Sequence, residues 1–163
     1  MLDDRLLTQF EKRKRDLPHW EGPGETYVLR FSVWRFVDVD LTRPHLAPLI
    51  IEALRFHDGD RYLLYGYTVM PRHVHAILKP IVRDGKTERL GKIIGDLKSW
   101  TAREINRALG RRGPFWRDER HDRIIRNEAE YQEWAQYILE NAKQAGLVEQ
   151  SLDWPWWGKG SGQ

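Results

Sequence analysis

Two histidines separated by one valine, His73-Val74-His75, lie in a run of apolar and β-branched residues from Met70 to Pro80. In an extended strand alternate side chains share a face, so both imidazoles point the same way. Two neighbouring imidazoles can hold one divalent cation. The same spacing also suits two polar groups on a solvated strand face, and the chain has six histidines in all. Further along, Tyr137 and Asn141 stand one helical turn apart in a segment with helical periodicity. The apolar stripe of that segment reads Tyr131, Trp134, Ile138, Ala142 and Ala145. Tyr137 falls at its edge, with Asn141, Glu130, Glu133 and Gln144 on the same side. A helix tyrosine is ordinarily a packing residue. As a nucleophile it needs a nearby cation or base, because the phenol pKa is near 10.

Together these groups describe a phosphoryl-transfer site. Two imidazole nitrogens and the Asn141 carbonyl form a neutral N/O donor set with open positions. That set suits Mg²⁺ or Mn²⁺ bound partly through a substrate phosphate. Such an ion polarises a phosphoryl oxygen. Attack by Tyr137 on phosphorus would leave a 5′-phosphotyrosine and a free 3′-hydroxyl. The covalent link conserves the phosphodiester's energy and permits rejoining to another end.

The elements that must position these residues can be read from the periodicity. A charged lead-in over residues 1–25, partly helical, closes at Gly22-Pro23-Gly24. Tyr27 to Val37 predicts a strand and Pro44 to Phe56 a helix. His57 to Asp60 is a turn, followed by strands over Arg61 to Met70 and His73 to Lys79 that form a hairpin. Thr87, as N-cap, opens a helix that ends at Gly110. Phe115-Trp116 and Arg123-Ile124-Ile125 suggest one or two short strand pieces. A final helix starts at Asn127 or Glu128 and stops at Gly146. The order β–α–β–β–α–β–α predicts an α+β fold: a ferredoxin-like four-stranded antiparallel sheet, helices on one face, and an extra C-terminal helix carrying the tyrosine. Residues 158–163 read as a disordered tail.

Composition narrows the partners and excludes several chemistries. One domain is the simplest organisation for 163 residues. The absence of cysteine excludes disulfides, zinc–thiolate sites and the zinc nucleobase deaminases, which need a cysteine pair. No stretch suits a bilayer span or a signal peptide, so a cytoplasmic protein is expected. Net charge is only +3, yet Lys86 to Arg126 holds twelve Lys/Arg against six Asp/Glu. A block of this kind suits a polyanion. Arg89, Lys92, Arg103 and Arg107 lie opposite the helix's apolar face, and with Lys98, Arg111, Arg112 and Arg117 they are candidate phosphate contacts. His121 and Asp122 are candidates for supporting hydrogen bonds. Of the eight tryptophans, three crowd the tail at 154, 156 and 157, where packing is the leading reading and base stacking the lesser one.

Several of these segments resemble one family. VMPRHVHAIL (69–78), LKSWTAREIN (97–106), Phe115-Trp116 with DRIIR (122–126), and YILEN (137–141) followed by AGLV (145–148) are similar, in order and spacing, to the REP-associated tyrosine transposases. These are single-tyrosine HUH transposases, HUH meaning His-hydrophobic-His. LPHW (17–20) and DWPWW (153–157) are similar too, so the resemblance spans roughly residues 17 to 157. It implies that His73 and His75 ligate a metal, that Asn141 completes the metal site, and that Tyr137 is the nucleophile. It further implies Mg²⁺ or Mn²⁺ as cofactor and single-stranded, hairpin-forming DNA as substrate, handled by a monomer or a homodimer. The family usually has Asn-Pro where this chain has Asn141-Ala142. That departure motivates an alternative, a catalytically impaired nucleic-acid-binding protein derived from such a transposase.

Overall fold

Along β1 (Thr26–Val33), Tyr27, Leu29, Phe31 and Val33 are buried in one core, while Val28 belongs to a second core on the opposite side. A strand buried on both faces needs cover on both, and the chain supplies it. The computed structural model describes residues 24–162. The sequence-derived lead-in, LPHW included, lies almost wholly outside them. After β1 come α1 (Ala47–Phe56), β2 (Tyr62–Val69), β3 (His73–Pro80), and a small hairpin of β4 (Val82–Arg83) and β5 (Lys86–Thr87). Then follow α2 (Leu90–Leu109), β6 (Trp116–Ile125), α3 (Glu128–Gln144), a 3-10 turn at Ser151–Asp153, and β7 (Trp157–Lys159).

The fold is α+β with an antiparallel sheet, as expected, but the sheet has five strands in the order β6-β1-β3-β2-β7. The first core lies between one face of this sheet and the helices α1 and α2, through Ile50, Leu54, Ile93, Ile94, Leu97 and Ile105. The second core joins Val28, Ile77 and Ile125 on the other face to Trp134, Tyr137 and Ile138 of α3. The extra helix therefore covers the face that α1 and α2 leave open.

Several boundaries differ from the expected ones, for local reasons. Strand β6 is one unbroken strand because it pairs with β1 along nearly its whole length. Thr87 is used in β5, so α2 begins after Arg89 with no side-chain cap. The β4–β5 turn is Asp84-Gly85, both at positive φ (52° and 70°), the dipeptide that two-residue hairpins favour.

The tail is the largest correction. Residues 158–162, expected to be disordered, continue from Trp157 along the edge of β2. Gly66, Tyr67 and Thr68 face Lys159, Gly158 and Trp157. The Gly162 amide donates to the Leu64 carbonyl at 2.9 Å, and the Ser161 amide to the Asp58 carboxylate at 2.8 Å. The tail tryptophans pack rather than stack outward: the Trp154 indole donates to the Val69 carbonyl at 3.2 Å. This edge would otherwise present unpaired backbone groups. Glycine is required for the close approach, since a Cβ at Gly160 would collide with the Leu64 carbonyl. We expect Gly160→Val to cost about 1–3 kcal/mol in urea unfolding, the usual penalty of overpacking. An unchanged midpoint would mean that the tail is not docked.

Candidate active site

Strand β3 lies between β1 and β2, so its two faces look into the two cores. Val74, Ala76 and Leu78 pack toward α1 and α2, and by alternation His73, His75 and Ile77 face α3. The His73 and His75 rings are 4.8 Å apart and nearly perpendicular, at 85°. His75 is 1% exposed and His73 is partly buried. The solvated strand face is therefore not what the pair forms.

Helix α3 brings up the remaining groups. It starts where the Asn127 side chain accepts the Glu130 amide at 2.9 Å. It stops at Gly146, in left-handed conformation at φ 74°, with Leu147 N–H donating to Ala142 C=O at 2.9 Å and Gly146 N–H to Lys143 C=O at 3.0 Å. These are the two bonds of a Schellman cap. Between these ends Trp134, Tyr137, Ile138, Asn141 and Ala142 are buried. The phenol and the amide thus lie within the seam facing the sheet, not beside it; Ala145, assigned to the stripe, is exposed. The stripe is rotated because the sheet offers the helix polar partners at His73 and His75. The Tyr137 ring stands 5.5 Å from His75 and 5.6 Å from Trp134, edge-on to each. Ala142 packs with Met70 and Trp154, and the helix continues past Asn141 to Gln144.

Burial sets the protonation states. It lowers the His73 pKa to about 4, helped by the Arg30 charge and opposed by Asn141. His75 is held well below 6.5 by burial first, then by His73 and Arg30. Both rings are neutral at pH 7, the state in which imidazole ligates metals. Burial raises the Tyr137 pKa, against the Arg30 charge and the Asn141 amide, so the resting phenol keeps its proton.

The chain's own donors fit a divalent cation. Asn141 Oδ1 is buried with no hydrogen-bond partner. An orphaned buried acceptor is costly, and a cation held with His73 and His75 would satisfy it. Among the described residues no cluster of three or more His, Cys, Asp or Glu exists, so the amide oxygen is the third donor at hand.

The low histidine pKa values have a consequence for stability. The unfolded imidazoles take up protons as pH falls through about 6.5, whereas the folded His73 does so only near 4. The unfolded state binds more protons in that window, so stability present above pH 6.5 is lost toward pH 4. Melting temperature should fall from pH 7 to pH 5, and the fall should be smaller in His75→Gln whatever that variant's absolute stability. Equal slopes in the two proteins would contradict neutral burial.

The structure does not bring the basic candidates to this site. Lys92, Arg103 and Arg107 belong to α2, and Arg89 is its N-cap, across the sheet from the histidines. Lys92 pairs with Asp96 at 3.0 Å and Arg107 with Glu104 at 2.8 Å. Lys98 is half-buried and donates to the Arg117 carbonyl at 2.5 Å; Arg111 donates to the Pro114 carbonyl at 3.2 Å. Arg112 and Arg117 are exposed in the connection to β6 and on its first residues. Asp122 pairs with Arg120 at 3.0 Å and by alternation faces the first core, whereas His121 faces the site side. Arg30 was missed by the sequence reasoning. It stands opposite His75 in the β1–β3 ladder. Its only sequence signal is a polar position in an alternating strand.

No protein-family model matches the chain, and no curated protein matches it. Among solved structures it is similar to one described as a REP-associated tyrosine transposase bound to a REP hairpin. The match has 20% identity, a TM-score of 0.69, and covers 88% of this chain and 82% of that one. Among the described residues no helix is long and apolar enough to cross a membrane. The chain has the fold of a REP-associated tyrosine transposase.

Proposed function

We propose that this protein nicks single-stranded DNA and transfers the cut strand through a covalent tyrosine intermediate, in the manner of a transposase, at hairpin-forming sequences. The observation that carries the reading is the meeting of Tyr137 with His75, ring centroids 5.5 Å apart, beside the unpartnered Asn141 oxygen. A site of this donor set supplies electrophilic stabilisation of a phosphoryl group when Mg²⁺ or Mn²⁺ is held by His73, His75 and Asn141.

Tyr137 Oη attacks phosphorus. The Oη–P bond forms and the P–O3′ bond breaks, giving a 5′-phosphotyrosine and a 3′-oxygen. The phenolic proton leaves Oη and the departing 3′-oxygen gains one, so no proton is consumed overall. Reversal with another 3′-hydroxyl rejoins the strand. Trp134 and the surrounding core fix the ring and keep bulk water from it, which favours strand exchange over hydrolysis. His73, His75 and Tyr137 meet within one chain, which supports a monomer as the working unit.

The test is to incubate the full chain with hairpin-bearing single-stranded oligonucleotides and Mn²⁺, then resolve it on a denaturing gel. A metal-dependent covalent adduct is expected. Oligonucleotide binding with no adduct on any of them would favour the catalytically impaired binding protein instead.

A further inference from the structure

Arg30 sits in a row that crosses the sheet: β1 places it opposite His75 on one side and opposite His121 on the other. It is partly buried, and its Nε is fully buried without a hydrogen-bond partner. None of the ion pairs among the described residues involves it. Its charge nevertheless reaches His73, His75 and Tyr137 alike. A guanidinium edge shut from water with no anion beside it is unfavourable, and the groups its charge reaches, His73, His75 and Tyr137, are neutral. Packing gives no reason for such a group. A ligand that brings its own negative charge does.

We propose that Arg30 is the phosphate-binding residue of this site: its guanidinium takes a non-bridging oxygen of the phosphodiester that Tyr137 attacks. The identity of the anion rests on the nuclease reading above. The cationic site itself rests on the row of Arg30, His75 and His121 and on the unpartnered Nε. Arginine suits the task because its charge is permanent and its planar fork matches phosphate oxygens. The α2 cations cannot replace it, since the sheet lies between them and the tyrosine. Bound this way, the phosphorus is held beside Oη, and charge developing on its oxygens meets a preorganised cation.

The experiment compares wild type, Arg30→Met and Arg30→Lys in the full chain. Melting temperature, metal-free oligonucleotide binding in EDTA across a salt series, and the Mn²⁺-dependent adduct rate are measured. Arg30→Met should melt at about the wild-type temperature or higher, because it removes no ion pair and leaves no buried Nε without a partner. Its plot of log affinity against log salt should be shallower by about 0.7, one phosphate contact on a single strand. Its adduct rate should fall about 10²–10³-fold, the scale of a lost charge-stabilising donor. Arg30→Lys should restore the salt slope but not the full rate. A melting temperature several degrees lower with an unchanged salt slope would make Arg30 a structural residue and overturn the inference. If wild type forms no adduct with any oligonucleotide, the nuclease reading fails, yet the metal-free slope still decides Arg30: an unchanged slope in Arg30→Met refutes it. Absence of any metal-free oligonucleotide binding overturns both.

Discussion

Tyr137→Phe should abolish the covalent protein–DNA adduct, by at least about 10⁴-fold, the scale on which deletion of a covalent nucleophile acts. The substitution removes one oxygen and keeps the ring. The contacts with His75 and Trp134, and the burial against Ile138, survive. The fold should therefore be preserved, with a melting temperature within a few degrees of wild type. Metal-free oligonucleotide affinity should change little, because the phenol is a neutral group and DNA affinity is dominated by phosphate charge. This separation distinguishes a nucleophile from a packing residue. A packing tyrosine would leave adduct yield at the wild-type level, or would lose yield and stability together.

His73→Ala should remove the response to Mn²⁺. In wild type, a ligand that binds only the folded state raises stability by about 2.7 kcal/mol at 100 times its dissociation constant, visible as a metal-dependent rise in melting temperature. Outer-shell partners of metal ligands already cost about 10–100-fold in affinity when mutated, so losing a direct donor should cost at least about 100-fold. The Mn²⁺ shift should vanish at concentrations that saturate wild type, and the adduct rate should fall with it. His73 is the better choice for this test, because it is less buried than His75 and leaves the smaller void. Wild-type Mn²⁺ stabilisation in His73→Ala would place the metal elsewhere.

The parts of this site that could be read from the sequence are those fixed locally. The His-Val-His spacing sets a common face whatever the sheet, and the Tyr137/Asn141 spacing does the same on a helix. Gly146 marks a cap that needs only its own turn. What escaped was set by tertiary contacts. The seam of α3 was placed by apolarity, which counts Tyr137 and Asn141 as outsiders, whereas facing imidazoles draw them inward. The tail lacks any strand pattern, since Gly158, Gly160 and Gly162 are selected for close approach to β2 rather than for β propensity. Arg30 resembles any solvent-facing strand residue until the β1–β3 register sets it against His75. The basic face of α2 was correctly outward, but nothing in a helical period tells which side of the sheet the helix will cover.

The proposed site joins His73, His75, Asn141 and Tyr137 around a phenol that becomes covalently bound to DNA. The most direct measurement is to digest the Mn²⁺-dependent adduct with nuclease and protease and map the nucleotide-bearing peptide by mass. A nucleotide phosphate on Tyr137 is the predicted result. A nucleotide mapped to any other residue, with Tyr137 recovered unmodified, would show that Tyr137 is not the nucleophile.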